Sequence, residues 1–259
     1  MYSRSSENRL YIVAVLNILR IVGATLSLYI LGYPLTIVGV TLGCLAALVN
    51  WQAFIRVGCL VWARLLFWIL GRHPHVTGRE HLAAGKAYLV VANHSSMYDI
   101  PALMAAVPGI AIMGRDHLLR IPLFGRLLKI LHYVPIDTTS ARSARQALAR
   151  AAEEIRAGVS VGIFPEGTRT TTGRVQQLKR GFVAVLRESK SDILPVSIRG
   201  TFALKRKGSI VLNPREPIRI CIGAPFAHKT LAGMRDEEIM EKVKSRLQEM
   251  GEKQRDEQG

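Results

Sequence analysis

The first third of the chain is dominated by apolar positions without charge. Between Arg20 and Arg56 lie 35 residues that include no Asp, Glu, Lys or Arg. One straight helix of that length would extend about 50 Å, whereas the hydrocarbon core of a bilayer is about 30 Å thick. Because proline disfavours a continuing helix, Pro34 predicts a turn between two apolar helices, about 10–31 and 35–55.

Basic and aromatic residues frame this apolar segment, as is typical of a membrane anchor. Arg4 and Arg9 precede it and Arg56, Arg64 and Arg72 follow it, while Trp51 and Trp62 lie on either side of its end. The positive-inside rule places both ends in the cytoplasm and therefore predicts a hairpin. Whether the hairpin crosses the bilayer or enters one leaflet stays open, because Arg20 interrupts the first helix. The alternative is a buried helical pair of a soluble domain; a cleaved signal peptide fits poorly because the apolar stretch is too long.

After about residue 71 the pattern changes to short β-branched runs, charged residues and turns. The apolar runs of strand length are 88–92, 110–113, 159–164, 193–198, 210–212 and 218–222. The segments with helical periodicity are 141–157, 176–188 and 236–250. This alternation predicts an α/β domain with a mixed sheet flanked by helices over 72–259, preceded by a hydrophobic helical hairpin within 1–71.

Composition narrows the class of partner. The formal net charge is +16, and hydrophobic residues make up 49% of the chain against 21% charged residues. Such a surplus suits anionic lipid headgroups, nucleic acid or a phosphorylated substrate. Nucleic acid is disfavoured because the basic residues of the second part do not alternate with aromatic stacking positions. The three cysteines exclude a disulfide framework and favour a reducing compartment.

The first motif that could carry chemistry is the sequence NHSSMYD at 93–99, directly after a predicted strand. A histidine can take a proton from an alcohol, and a carboxylate on its other ring nitrogen fixes the tautomer. Since proline is tolerated in a first helical turn, Pro101 predicts a helix beginning near Asp99, which lets Asp99 reach His94 on the preceding loop. The alternative interpretation is a structural histidine beside a helix N-cap.

The second motif, FPEGTR at 164–169, also follows a predicted strand, so both motifs are expected at one sheet edge. Arg169 offers paired donors to a phosphate, Gly167 permits close backbone approach and Glu166 can accept from a hydroxyl. The alternative is a turn with a solvated salt bridge. The G-x-S-x-G pattern at 158–162 is rejected as a nucleophile elbow, because a strand runs straight through its serine.

The two motifs together resemble the glycerolipid acyltransferase family, specifically the 1-acyl-glycerol-3-phosphate acyltransferases. The sequences IPLFG at 121–125 and LPVSI at 194–198 resemble two further family blocks, and the N-terminal apolar segment is similar to that of bacterial members. The resemblance implies that His94 is the general base and Asp99 its partner. It assigns the acceptor-phosphate site to residues of the second motif: Glu166, Gly167, Thr168 and Arg169.

The family's second block usually carries lysines where this chain reads GRDHLLR at 114–120. Arg115 therefore stands in for a phosphate-binding lysine, and Arg120 is a further candidate for substrate binding. A guanidinium offers paired donors in a fixed plane, whereas an ammonium acts as a point charge. The acceptor lipid can therefore differ from plain lysophosphatidate. The alternatives are thus the same chemistry on another lysolipid, or a non-catalytic basic membrane adaptor in which His94 and Asp99 are structural.

The activity implied by the resemblance is transfer of an acyl chain from acyl-coenzyme A or acyl carrier protein to the sn-2 hydroxyl of 1-acyl-glycerol-3-phosphate, which makes phosphatidic acid. No covalent acyl-enzyme and no cofactor are required. No metal site is expected, since His73, His75 and His81 lack accompanying carboxylates or cysteines of ligand spacing. The expected partners are membrane lipids, the acyl donor and a lysophospholipid, but not nucleic acid. The expected location is the bacterial inner membrane, with the active site facing the cytoplasm.

Overall fold

The computed structural model of the chain describes residues 3–137 and 139–256. The helices are α1 (Ser3–Ser27), α2 (Tyr33–Leu48), α3 (Gln52–Ile69), α4 (Asp99–Ala106), α5 (Phe124–Ile130), α6 (Ala141–Arg156), α7 (Gly181–Ser189), α8 (Thr201–Leu204), α9 (His228–Leu231) and α10 (Asp236–Asp256). The strands are β1 (His75–Thr77), β2 (Leu89–Ala92), β3 (Ala111–Arg115), β4 (Val134–Ile136), β5 (Val161–Ile163), β6 (Ile193–Arg199) and β7 (Arg219–Ile222).

The predicted turn at Gly32–Pro34 is wrong, because a π-helical turn, Leu28–Gly32, joins α1 to α2 without leaving helical conformation. The amide of Tyr33 bonds to the carbonyl of Leu28, five residues back, and Pro34 lies in the first turn of α2. A π turn inserts one residue, so the helix absorbs a proline that a regular i→i−4 ladder would not accommodate.

The N-terminal helices do form a hairpin, but its turn lies between α2 and α3. Asn50 adopts a left-handed conformation, with φ of 55°, and the amide of Trp51 bonds to the carbonyl of Ala46 at 2.9 Å. The short connection returns α3 along α2, with the indole of Trp62 donating to the hydroxyl of Thr36 at 3.1 Å. One arm of the hairpin is therefore extended by the whole of α1.

The predicted mixed sheet is confirmed. Seven strands of the described residues pair in the order β1-β7-β6-β2-β5-β3-β4, and only the β6–β7 pairing is antiparallel. The central strand β2 pairs with β5 on one side and with β6 on the other. Four successive residues of β2 are buried, as expected for a strand covered on both faces.

One predicted strand is wrong and two strands escape prediction. Residues 210–212 form an irregular loop, because Ile210 is exposed and only Leu212 enters the core. Strands β1 and β4 are three residues long and lie at the two edges of the sheet, where the sequence pattern is weak. Their positions are decided by pairing with β7 and β3 rather than by local sequence.

The N-terminal helices pack directly on the α/β domain. Leu28, Leu66 and Phe67 belong to the same apolar cluster as residues of β2 and β6, and a second cluster joins α2 and α3 to Leu127 of α5. The division into an anchor, 1–71, and an acyltransferase domain, 72–259, remains a prediction.

Two helical segments are long and apolar enough to cross a membrane, Tyr11–Leu48 and Gln52–Ile69. In the apolar window of 18 residues that marks each segment, only 11% of the residues of the first and 22% of those of the second are buried against the rest of the protein. A helical pair in a soluble core would be mostly covered, so this exposure favours contact with lipid over the soluble alternative.

Candidate active site

The two predicted motifs meet at one edge of the sheet. His94 follows β2 and Glu166 follows β5, and these strands are parallel neighbours. The carboxyl ends of parallel strands lie at the same edge, which is where α/β proteins place their sites. The amide of Thr170 also donates to the carbonyl of His94 at 2.9 Å, so the loops are joined by backbone as well.

His94 and Asp99 form a hydrogen-bonded pair, as predicted. The Nδ1 atom of His94 lies 2.9 Å from Oδ2 of Asp99. An ionised carboxylate only accepts hydrogen bonds, so Nδ1 must be the donor and Nε2 carries the lone pair of a base. The described residues place no hydrogen-bond partner on Nε2, and the imidazole is 17% exposed while Asp99 is fully buried. The imidazole ring stacks on Phe164 with ring centroids 4.3 Å apart.

The local sequence explains why Asp99 can hold the imidazole. Asp99 is the first residue of α4, and its Oδ2 accepts from the backbone amides of Ser95 and Ser96 at 2.6 and 2.7 Å. These bonds fold the loop back so that the carboxylate faces His94, while the helix N-terminus favours its negative charge. The predicted helix start near Asp99 is therefore correct.

Glu166 connects the two loops rather than facing solvent. Its Oε1 accepts from the amide of His94 at 2.7 Å, and its Oε2 accepts from the amide and the side chain of Gln176 at 3.1 and 3.0 Å. The residue is 4% exposed. Burial raises the pKa of Glu166, and the hydrogen bonds from His94 and Gln176 partly oppose that rise. With both oxygens engaged inside the protein, the geometry suits a positioning residue for His94.

The remaining residues of the second motif, Gly167, Thr168 and Arg169, lie at or near the protein surface. Gly167 has φ of +71°, and a Cβ there would lie 2.8 Å from Nζ of Lys179, so the lysine lies directly across the glycine. Thr168 is exposed, and its carbonyl accepts from the side chain of Gln176 at 3.2 Å. Arg169 is half-buried and has no salt-bridge partner among the described residues.

A third loop, which the sequence analysis does not place in the site, completes the cluster. It follows β6, and the hydroxyls of Thr201 and Ser95 lie 3.0 Å apart. The carbonyl of Lys205 accepts from the hydroxyl of Ser96 at 2.8 Å, and Nζ of Lys207 lies 3.4 Å from the hydroxyl of Thr168. The sequence offers two signals here: the LPVSI run at 194–198, and the basic residues Lys205, Arg206 and Lys207, which by themselves fit either anionic lipid or a phosphate.

Positive charge is concentrated where the three loops meet. Lys205 is 9% exposed, and its pKa is lowered by burial and by the nearby guanidinium of Arg169. None of Arg169, Lys179, Lys205 and Lys207 has a carboxylate within salt-bridge distance in the part of the chain that the structure describes. Neighbouring cations without an internal counter-ion form a favourable place for an anionic group.

The structure places Arg115 and Arg120 beside this cluster rather than within it. Arg115 is exposed at the carboxyl end of β3, the strand next to β5. Arg120 is exposed and pairs with Asp116 at 2.7 Å. Neither guanidinium bonds to the two motifs among the described residues.

The rejected serine pattern lies at the other end of the sheet. Ser160 directly precedes β5, and its Oγ accepts from the amide of Tyr88 at 3.1 Å. A hydroxyl bound at the amino edge of the strands is remote from His94, which follows the carboxyl end of β2. The structure therefore gives this serine a structural role.

The class of protein is an acyltransferase, and comparison with known sequences shows it. A family model described as acyltransferase matches residues 73–199, which include both motifs and β2 through β6.

Individual proteins narrow the class. A 1-acyl-sn-glycerol-3-phosphate acyltransferase of Cocos nucifera is 31% identical over 222 residues, which cover 83% of this chain and 69% of the coconut protein. A protein of the same name from Borreliella burgdorferi is 31% identical over 140 residues, which cover 53% of this chain and 56% of its own length. The crystal structure of the 1-acyl-sn-glycerophosphate (LPA) acyltransferase PlsC from Thermotoga maritima superposes with a TM-score of 0.78 at 25% identity and covers 92% of this chain and 98% of that one. The chain belongs to the 1-acyl-sn-glycerol-3-phosphate acyltransferase family, and the resemblance read from its motifs is confirmed.

Proposed function

We propose that the protein moves an acyl chain from a thioester to the sn-2 hydroxyl of 1-acyl-sn-glycerol-3-phosphate, with His94 as the general base. The observation that carries this proposal is the Nε2 atom of His94, which has no hydrogen-bond partner among the described residues while Nδ1 of the same ring is held by buried Asp99. The names of the relatives support the reaction, and the geometry supports the assignment of the base.

The proposed step needs only groups of this chain and the two substrates. Nε2 of His94 takes the proton of the hydroxyl, and the hydroxyl oxygen attacks the thioester carbonyl carbon. The carbon–sulfur bond breaks as the ester forms, and the leaving thiolate takes the proton from the imidazolium. Asp99 stabilises that imidazolium while it exists. The ester product is phosphatidic acid, and the free thiol is coenzyme A or acyl carrier protein.

We assign the phosphate of the acceptor to the cations where the three loops meet. Arg169 can give paired hydrogen bonds to phosphate oxygens, and Lys205 and Lys207 add charge from the loop after β6. Glu166, Gly167 and Thr168 shape this position: Glu166 by joining the loops, Gly167 by leaving room for Lys179, and Thr168 through its exposed backbone. Arg115 and Arg120 are proposed to act from the neighbouring loop, where both residues are exposed and Arg120 is paired with Asp116.

We also propose that the protein resides in a bacterial inner membrane with the site facing the cytoplasm. The exposed apolar helices support membrane attachment. The basic surplus of the chain supports a cytoplasmic site, because positive residues are retained on that side.

The assignment is tested by following labelled acyl transfer to lysophosphatidate in membranes that contain equal amounts of each variant. His94→Ala should lower kcat by about 10²–10⁴, the contribution of a general base. Arg169→Ala should mainly raise the KM for the acceptor. Matched controls are His73→Ala and Arg142→Ala, both exposed and outside the cluster, which should behave like wild type.

The design separates the reaction from its details. Running acyl-coenzyme A and acyl carrier protein in parallel assigns the donor. Activity of wild type on other lysolipids alone would retain the chemistry and refute the acceptor. Equal activity of wild type and His94→Ala would refute His94 as the base. No activity of wild type with any donor or acceptor would favour the non-catalytic membrane adaptor.

A further inference from the structure

Exposed apolar side chains of the α/β domain are confined to one edge of the sheet. After residue 71, five large apolar residues of the described chain are exposed, and we call them the apolar rim: Met97, Ile121, Leu123, Ile210 and Val211. Each lies on a loop that follows the carboxyl end of a strand, namely β2, β3 or β6. The loops at the opposite edge expose no large apolar side chain among the described residues. Scattered surface apolar residues would show no such preference.

Internal hydrogen bonds hold the tip of the rim, residues 209–212, in a defined conformation. Ser209 accepts from the amide of Val211 at 3.1 Å, donates to its carbonyl at 2.9 Å, and offers its own carbonyl to Nζ of Lys205 at 2.7 Å. The side chain of Leu212 is buried while Ile210 is 71% exposed. The fold therefore holds an isoleucine outward at a position fixed by internal hydrogen bonds.

The rim is continuous with the lipid-facing surface of the N-terminal helices. The hydroxyl of Tyr29 donates to the carbonyl of Ile210 at 3.3 Å, and Thr25 accepts from the amide of Leu212 at 3.1 Å. Around that contact the helix exposes further apolar side chains, including Leu26 and Ile30. The rim and the helices thus form one apolar surface.

Charge next to the tip matches a bilayer surface. Arg206, Lys207 and Arg215 are exposed on the same stretch of chain. Basic residues beside an apolar tip suit anionic headgroups above an acyl layer. A soluble protein partner would need no continuity with lipid-facing helices.

We propose that the apolar rim is a second membrane contact, which inserts Ile210, Val211 and Ile121 into the leaflet that holds the N-terminal helices. The site then opens onto the bilayer, and a lipid substrate reaches His94 without passing through water. The proposal rests on the membrane attachment proposed above, but its test does not require the chain to be active.

The test measures the depth of single labels on the full-length chain in vesicles of zwitterionic and anionic lipid. In a background with Cys44, Cys59 and Cys221 replaced by alanine, a fluorophore is attached at Ile210→Cys or Ile121→Cys. Leu16→Cys on exposed α1 is the lipid-facing control. Thr230→Cys, exposed on α9 beyond the amino edge of β6, is the aqueous control.

The rim labels should be quenched by lipid-attached quenchers and protected from an aqueous quencher, as Leu16→Cys is. Rim labels that match Thr230→Cys would overturn the proposal, even in a fully active enzyme. The vesicles contain no other protein. If the aqueous quencher reaches the rim labels there, the bilayer does not cover the rim, and a protein partner becomes the alternative.

A kinetic variant adds a second readout. Ile210→Ser with Val211→Ser should lower kcat/KM for a long-chain acceptor in vesicles by about tenfold, the factor expected when two apolar side chains lose part of their lipid contact. The same variant should keep wild-type kcat/KM for a short-chain acceptor dissolved in water. An equal loss for both acceptors would mean that the substitutions damage the site itself, and would contradict the proposal.

Discussion

At the scale of single residues, the chemistry depends on how a few polar atoms are occupied. Both oxygens of Glu166 and Oδ2 of Asp99 are used inside the protein, whereas Nε2 of His94 is left for substrate. A carboxylate that accepts from two backbone amides and an imidazole is held in one orientation, and so is the imidazole. The proposed base is therefore preorganised by its own loop.

Replacing the buried carboxylate should expose this dependence. One oxygen of Asp99, Oδ2, accepts from Nδ1 of His94 and from the amides of Ser95 and Ser96, and in Asp99→Asn a neutral amide replaces this carboxylate. We expect kcat to fall by about 10²–10⁴, because the imidazolium that forms on His94 loses its counter-charge. The KM for the acceptor should change little. A variant that is folded by thermal unfolding in detergent but keeps wild-type kcat would contradict the pairing.

At the scale of elements, the turn after β6 is a tightly constrained connection near the site. Gly200 has φ of +85°, and a Cβ there would lie 2.2 Å from the carbonyl oxygen of Pro217. Gly85 has a similar φ of +73° but open space around its Cβ position. The two glycines therefore separate backbone strain from a steric clash.

Gly85→Ala should cost about 1 kcal/mol, the price of a left-handed alanine. Gly200→Ala should cost more and should also lower activity, because the displaced turn carries Thr201 away from Ser95. Thermal unfolding and acyl transfer on the same preparations measure both effects. Equal losses of stability in the two variants would show that the backbone near Pro217 moves aside freely.

The start of α10 offers a pH-dependent contact between elements. Asp236 accepts from Nε of Arg180 at 2.6 Å and from Arg187 at 3.1 Å. The hydrogen bond from Arg180, followed by that from Arg187, lowers the pKa of Asp236. A lowered carboxyl pKa stabilises the fold above the ordinary value and loses that effect as the pH falls through the folded value.

Asp236→Asn should therefore destabilise the protein by about 1 kcal/mol at neutral pH, a modest figure because Arg180 is largely exposed to solvent. The difference from wild type should shrink as the pH falls below the ordinary aspartate pKa of about 3.9, and it should be lost once Asp236 is protonated in the folded protein. The exposed neighbour Glu237 supplies the control variant Glu237→Gln, which should change stability less. Unfolding midpoints across pH decide the matter, and a difference that is the same at pH 7 and pH 3 would count against the ion pair.

At the scale of the whole molecule, the proposed membrane attachment places the N-terminal helices and the apolar rim against the same bilayer. The α/β domain packs on the N-terminal helices near Leu28, whereas nine of the ten residues 11–20 of α1 are exposed. In that arrangement the α/β domain lies on the side of the membrane from which Thr25 and Tyr29 reach the loop around Ile210.

A reporter joined to the C-terminus reads this orientation. A phosphatase that folds only outside the cytoplasm should stay inactive in the fusion, because the basic α/β domain is expected to remain in the cytoplasm. A fluorescent reporter that folds in the cytoplasm should be bright in the matched fusion. The opposite pattern would refute the proposed location of the site, while leaving the acyltransferase chemistry intact.

The sequence alone was enough for the features that depend on local pattern. The uncharged N-terminal run predicts apolar helices, and the alternation after residue 71 predicts the mixed sheet. The spacing of His94 and Asp99 with Pro101 predicts a loop that enters a helix, because those constraints act within a few residues. The family follows from two short motifs in the right order.

The tertiary structure decided what depends on distant residues. Pro34 does not interrupt the helical backbone, because a π turn precedes it and Leu28 in that turn packs on the α/β domain. The apolar run 210–212 is not a strand, because Leu212 is buried in the core while Ile210 and Val211 are exposed. The sequence pattern alone does not distinguish such a loop from a short strand. Glu166 accepts a hydrogen bond from the amide of His94, and the carbonyl of Lys205 accepts one from Ser96. These bonds join loops that are far apart in the chain, so they form only when the strands of the sheet place those loops at the same edge.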